Sequence, residues 1–173
     1  MNAINLVDGL DGLAGGLSLV TTLLLGTLGW WGGEFELVLF SLALAGAIFG
    51  FWHFNKPPAT VFMGDAGSML LGYLLAVFSV KVIAVTGNGS VSMVPVLLLG
   101  IPLVDTAFAL LRRYLKGIPF YAADKDHLHH RLLRMGHGHR RTVLLLWAWT
   151  ALLSGVALVP VSYTHLTLPT KRI

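Results

Sequence analysis

Five stretches of this sequence are each long and apolar enough to cross a bilayer: roughly Leu13 to Trp30, Phe35 to Trp52, Ser68 to Val85, Val91 to Leu111 and Thr142 to Val161. A spanning helix needs about 20 mainly apolar residues, and in lipid only a helix satisfies a single segment's own backbone hydrogen bonds. The chain is therefore expected to be all-α, a polytopic membrane helix bundle of about five transmembrane helices. Composition agrees. Only 12% of the 173 residues are charged and 55% are hydrophobic, whereas a soluble domain carries about 25% charge. That leaves too little polar surface to cover a water-soluble globule of this size, which excludes a soluble enzyme or a disordered chain. With no cysteine, neither a disulfide framework nor a thiolate site is available.

The connections between spans differ in kind. Trp31 to Glu34 and Thr86 to Ser90 are short and glycine-rich, whereas His53 to Gly67 and Arg112 to Arg141 are longer, basic and rich in His, Asp and Asn. Arg112, Arg113, Lys116, Lys125, Arg131, Arg134, Arg140 and Arg141 supply eight of the 12 basic side chains. A net charge of +4 so distributed indicates membrane orientation rather than nucleic-acid binding, because basic loops stay in the cytoplasm. Alternation then puts His53 to Gly67 and the N-terminal Asn2 to Gly12 on the same face. All polar motifs are thus expected at one cytoplasmic surface of the plasma membrane. Lys81, near the outer end of the third span, is expected to snorkel to the interface. Residues 1–161 read as one membrane unit; at 162–173 the composition changes abruptly to Ser, Thr and Pro, which marks a tail foreign to the rest.

Three motifs carry chemistry. In Asn5-Leu6-Val7-Asp8-Gly9-Leu10-Asp11-Gly12 the oxygen-bearing side chains recur every third residue, so on a helix they lie near one another, and the glycines allow local unwinding. Carboxylates at a membrane helix end are costly unless they face water, a cation or a ligand; the plainer alternative is a solvated helix start. The second motif, Asn55-Lys56-Pro57-Pro58 leading to Phe62-Met63-Gly64-Asp65-Ala66-Gly67-Ser68, ends in an Asp that could cap the next helix or hold a hard cation carrying phosphates. Phe62 could stack on a base or simply pack. The third, Asp124-Lys125-Asp126-His127-Leu128-His129-His130-Arg131, lacks zinc-ligand spacing. Its His and Arg side chains suit phosphate oxygens, or else anionic lipid headgroups. Asp105, about two turns inside the fourth span, calls for a partner, for which Arg112 or Arg113 is available; a structural pair and a catalytic role are both open. Oxygen ligands, an aromatic and cationic donors on one face together fit phosphoryl transfer between a soluble nucleotide and a lipid.

The run Asn2-Ala3-Ile4-Asn5-Leu6-Val7-Asp8-Gly9-Leu10-Asp11-Gly12-Leu13, then Phe54-Asn55 with Pro58-Ala59 and Phe62 to Ser68, then Gly100-Ile101-Pro102 with Asp105-Thr106, then His127-Leu128-His129-His130, resembles in order the motifs of the polyprenyl-phosphate N-acetylhexosamine-1-phosphate transferases. That group also contains phospho-N-acetylmuramoyl-pentapeptide translocase. The His-Leu-His-His form and the Arg112-Arg113 loop look more like the undecaprenyl-phosphate GlcNAc-1-phosphate transferases of teichoic acid and O-antigen synthesis. The resemblance implies transfer of N-acetylhexosamine 1-phosphate from its UDP-sugar to undecaprenyl phosphate, releasing UMP, with Mg²⁺. It implies Mg²⁺ contacts at Asn5 and Asp65, uracil contacts at Asp11 and Phe62, and a nucleotide-side polar contact at Asn55. Asp8 matches a catalytic or substrate-placing aspartate. His127, His129 and His130, with Arg131 nearby, match a loop engaging the diphosphate and sugar. Expected partners are thus the UDP-sugar, the polyprenyl phosphate and the bilayer, with no nucleic acid; whether two copies form a homodimer is left open. An adjacent Asp pair that the family carries in an earlier segment is not present here, so the sequence is expected to be the C-terminal part of an enzyme and inactive by itself. The competing classes are an ion-binding transporter subunit and a non-catalytic membrane protein.

Overall fold

The computed structural model describes residues 2–86, 94–117, 119 and 127–167. Among them the regular elements are helices: α1 (Asn2–Val7), α2 (Leu13–Trp31), α3 (Phe35–Asn55), α4 (Gly64–Thr86), α5 (Val94–Leu98), α6 (Gly100–Leu115), α7 (Leu128–Arg134) and α8 (His139–Thr167). Three of them, α2, α3 and α4, are long and apolar enough to cross a membrane. They fall on the first three expected spans. The 29-residue α8 covers the fifth and continues past Val161 into the stretch where composition changes.

The fourth expected span is two helices instead of one. Leu99 leaves helical geometry at φ −95° and ψ 13°, and Pro102, three residues on, has no N–H to give to the Leu98 carbonyl. Thr21 on α2 donates its hydroxyl to that carbonyl at 3.4 Å, so the break is answered by a neighbouring helix, as a buried backbone group requires.

At the centre stands α2, against which α3, α4 and α8 pack. Leu25 and Leu28 of α2, Leu37 and Ile48 of α3, and Leu71, Leu75, Phe78 and Val82 of α4 form one core cluster. Leu13 and Leu17 of α2 join Ile101 of α6 and Val143 and Leu146 of α8 in a second. The α2–α3 hairpin closes through Gly33 at φ +74°: Glu34 N–H reaches the Gly29 carbonyl at 2.8 Å and Gly33 N–H that of Trp30 at 3.2 Å, the paired bonds that end a helix on a left-handed glycine. Buried Ser18, Thr22, Ser41, Ser68, Thr150 and Ser154 lie between helices, where small polar side chains let backbones approach. Leu39, Phe40, Leu42 and Phe49 of α3, Leu70 and Val80 of α4, and Leu144, Trp149, Leu152 and Val156 of α8 are exposed. An apolar outer surface, with small polar side chains admitted among the buried apolar ones, is the distribution a bilayer selects. Lys81 does more than reach for the interface: its Nζ is 2.8 Å from Glu36 Oε2 and ties α4 to α3.

The first motif is not one continuous helix. α1 stops at Val7, and the chain turns through Asp8 to Gly12 before α2 starts. Gly12 makes this possible at φ +77°, with its N–H held by Asn55 Oδ1 at 3.0 Å. An L side chain there meets left-handed backbone strain of about 1–2 kcal/mol, and a Cβ would sit 3.3 Å from the Trp52 indole nitrogen. Gly12→Ala should therefore lower stability by roughly that amount, with Gly12→Asn losing less because Asn tolerates this conformation. Thermal unfolding of both variants in micelles is the check; equal losses would mean that crowding rather than backbone strain sets the cost.

Candidate functional site

The polar motifs meet at one end of the bundle. Asn5, Asp8 and Asp11 from the first, with Asn55, Phe62 and Asp65 from the second, line one cavity of ≈ 330 Å³, joined by Gly9, Leu10, Met63 and Gly64. Three contacts hold the two motifs together. Ser68 on α4 donates its hydroxyl to Asn5 Oδ1 at 2.7 Å. The Ala59 N–H donates to Asp11 Oδ2 at 3.1 Å. Asn55, buried at the end of α3, accepts from Gly12 N–H through Oδ1 and donates through Nδ2 to the Val61 carbonyl at 2.9 Å. Both ends of its amide thus bind backbone, one in each motif. Within this fold Asn55 acts as a strut between the two walls of the cavity.

Electrostatics single out Asp8. Its carboxyl is pushed above the usual carboxylate range, first by burial and second by the charge of Asp65 across the cavity. Ionising both is unfavourable unless positive charge lies between them. The donors facing this space are carboxylate and amide oxygens, a set suited to a hard cation such as Mg²⁺, which takes one or two protein carboxylates and fills its shell with water or phosphate oxygens. Among the described residues no three His, Asp or Glu side chains are grouped to hold a metal by themselves. Phe62 stands at the cavity exposed on 73% of its surface, open to a flat ligand. Phe62 and Met63 also line an apolar cavity of ≈ 330 Å³ formed with Leu44, Ile48, Leu70 and Leu71 of α3 and α4.

The histidine segment approaches from the other side. His127 precedes α7, and its ring lies parallel to that of His129, with centroids 5.9 Å apart and 4° between planes. His130 tilts against His129 at 4.2 Å. His129 is buried with Nε2 lacking a hydrogen-bond partner among the described residues, and its ring fills the place where a Cβ on Gly9 would go. The third motif therefore abuts the first beside the acidic cavity. Arg131 lies instead on a smaller cavity of ≈ 140 Å³ with Val104, Asp105, Phe108, Arg112 and Leu128. Asp124 to Asp126 lie outside the described residues.

Asp105 takes a partner the sequence did not suggest. Its Oδ2 is 3.1 Å from His127 Nδ1, and its Oδ1 accepts the Leu128 N–H at 2.8 Å. No local pattern links residues 105 and 127; only the return of the chain from α6 to α7 brings them together.

Burial, then the like charge of His130 and to a smaller degree that of His127, pull the His129 pKa down to about 4, with Asp105 opposing. A histidine ordinarily titrates near 6.5, so the released segment takes up a proton at a pH where the docked one does not. The contribution of docking is complete above pH ~6.5 and is lost as pH falls from there through about 4. As pH falls from 7 to 5, hydrogen exchange in residues 128–134 should accordingly rise relative to that of α2, the ratio removing the intrinsic slowing of exchange. A rate ratio to the exchange of α2 that stays constant across that range would refute it.

An apolar bundle that carries a carboxylate-lined cavity at one end, with histidines against its rim, defines a helical membrane protein built around a polar ligand site. Residues 1–83 match the family model described as glycosyl transferase family 4, to which that stretch belongs. It is 40% identical, over 84% of its length and 41% of the relative's, to the Bacillus subtilis (strain 168) protein named "Probable undecaprenyl-phosphate N-acetylglucosaminyl 1-phosphate transferase". It is 38% identical to the decaprenyl-phosphate N-acetylglucosaminephosphotransferase of Mycobacterium tuberculosis (strain H37Rv), over 89% of this chain and 43% of that one. The undecaprenyl-phosphate alpha-N-acetylglucosaminyl 1-phosphate transferase of Escherichia coli (strain K12) is 34% identical over 95% of this chain and 46% of its own length. The chain thus spans less than half the length of these relatives.

Proposed function

We propose that this sequence builds the nucleotide-sugar side of a Mg²⁺-dependent transferase that moves N-acetylhexosamine 1-phosphate, GlcNAc 1-phosphate in the favoured form, from its UDP-sugar to undecaprenyl phosphate. An oxygen of the lipid phosphate attacks the sugar-bearing phosphorus, the bond between the two phosphates breaks, and UMP leaves. The observation that carries this reading is the convergence of Asn5, Asp8, Asp11, Phe62 and Asp65 on one cavity, with the imidazole of His129 against its wall at Gly9. Asn5 and Asp65 would hold the cation, which when bound neutralises diphosphate charge. Phe62 offers its face to the uracil, with Asp11 as the neighbouring acceptor for its N–H. Asn55 keeps the two walls at their spacing. His127, His129 and His130 would supply donors to the diphosphate, while Arg131, which lies on the neighbouring smaller cavity, is left out of that set; the reaction needs mainly such positioning and charge stabilisation. The names of the relatives support the sugar and the lipid carrier. A transporter would place ionisable groups near the middle of several spans, whereas here the motif carboxylates and histidines gather at one end. We place that end at the cytoplasmic face of the plasma membrane, where UDP-sugars are found.

The test is a chimera in which this sequence replaces the matching stretch of the Bacillus subtilis relative, assayed for Mg²⁺-dependent exchange of labelled UMP into UDP-GlcNAc. Exchange above that of the relative lacking the stretch supports the reading; a chimera that inserts, binds UDP-GlcNAc and exchanges nothing overturns it.

A further inference from the structure

Asp105 is 7% exposed and its carboxylate is used on both oxygens, one by the His127 ring and one by the Leu128 N–H. The donor at Leu128 is a backbone group and fixed. The donor at His127 is a choice between two ring nitrogens, and facing a carboxylate the ring must carry its proton on Nδ1. That leaves Nε2, on the far edge of the ring, as the nitrogen that Asp105 does not use. The His127 ring in turn lies parallel to that of His129, which abuts Gly9 between Asp8 and Asp11. A carboxylate on α6 thereby sets the tautomer and the tilt of a histidine row that ends at the acidic cavity.

We propose that Asp105 is a positioning residue: it holds the histidine segment on the cavity and fixes His127 with Nδ1 protonated and Nε2 turned toward the substrate side. The functional half of this inference rests on the transferase reading; the structural half does not. Asp105→Asn separates the two. The Leu128 N–H still requires an acceptor, so the Asn oxygen stays there and its NH₂ faces His127 Nδ1, which must then become an acceptor. The neutral ring is forced into the Nε2–H tautomer with little change in shape.

The experiment is nitrogen NMR of imidazole-labelled protein in nanodiscs, on this chain and its Asp105→Asn variant, together with UMP exchange by the chimera carrying the same pair. The expected result is an Nδ1–H tautomer at His127 that switches to Nε2–H in the variant, with kcat lowered on the order of 10- to 100-fold and KM for UDP-GlcNAc nearly unchanged. Asp105→Glu, which keeps the carboxylate, should restore the Nδ1–H tautomer. An unchanged tautomer in Asp105→Asn overturns the proposal, and so does a switched tautomer with full kcat. If the parent chimera exchanges nothing while the tautomer switches, the transferase reading fails alone and the hold of Asp105 on His127 stands.

Discussion

Asp65→Asn should abolish UMP exchange in the chimera, by on the order of 10³-fold, while leaving insertion and the helix bundle intact. Asp65 sits in the first turn of α4 and lines the acidic cavity, so its carboxylate is engaged in no core packing that the isosteric amide would disturb. What the substitution removes is the charged one of the two side chains proposed to hold the cation. A second signature follows from the electrostatics. Because the charge of Asp65 is one of the two causes that raise the Asp8 pKa, that pKa should fall in the variant, though not to its ordinary value, since burial persists. Chelation of divalent ions should silence the parent protein to a similar extent and change little in the variant. Parental exchange rates in Asp65→Asn would remove this carboxylate from the metal assignment, and an unmoved Asp8 would show that the two do not share a field.

A second large effect is expected inside the helix bundle. Gly16→Val should destabilise the bundle by about 3 kcal/mol, the upper end of what overpacking costs. Gly16 lies on the central helix where Trp147 of α8 crosses it, and a Cβ there would fall within the indole ring. The indole cannot move aside freely. Its Nε1 donates to the Leu13 carbonyl at 3.4 Å, and its ring lies 5.7 Å from that of Trp52 on α3. Trp147 therefore pins three helices at one crossing. Pairing Gly16→Val with Trp147→Ala should return most of the loss, because residues in contact couple by about 0.5–3 kcal/mol. Unfolding of the two single variants and the double variant in mixed micelles measures this; strictly additive losses would mean that the contact does not limit the α2–α8 approach.

The two sites are linked through the core. Val143 and Leu146 of α8 share a cluster with Val7 of α1 and Leu13 and Leu17 of α2, and the turn between α1 and α2 carries Asp8 and Asp11. Loosening the Trp147 crossing should thus reduce exchange by the chimera as well as stability, whereas Asp65→Asn should affect exchange alone.

The all-helical membrane architecture could be read from the sequence because hydrophobic length is a local property. A run such as Leu37 to Phe51 must satisfy its own backbone in lipid, so helix and span follow without reference to any neighbour. Motif identity was local too: the spacing of Asn5, Asp8 and Asp11 marked a polar motif at a membrane helix end, though read as lying along a helix, where the structure turns the chain from Asp8 to Gly12. Where the local rule met two opposing signals it failed. The fourth span reads as one apolar run, yet Gly100 and Pro102 break it, and the break is tolerated only because Thr21, remote in sequence, satisfies the Leu98 carbonyl. Tertiary structure likewise decided that Asn55 spends its amide on the backbone of both motifs and that Asp105 meets His127. It also decided that His129 lies buried against Gly9. Each of these depends on which helix faces which, a choice made by packing across the bundle, and no periodicity within a single segment encodes it.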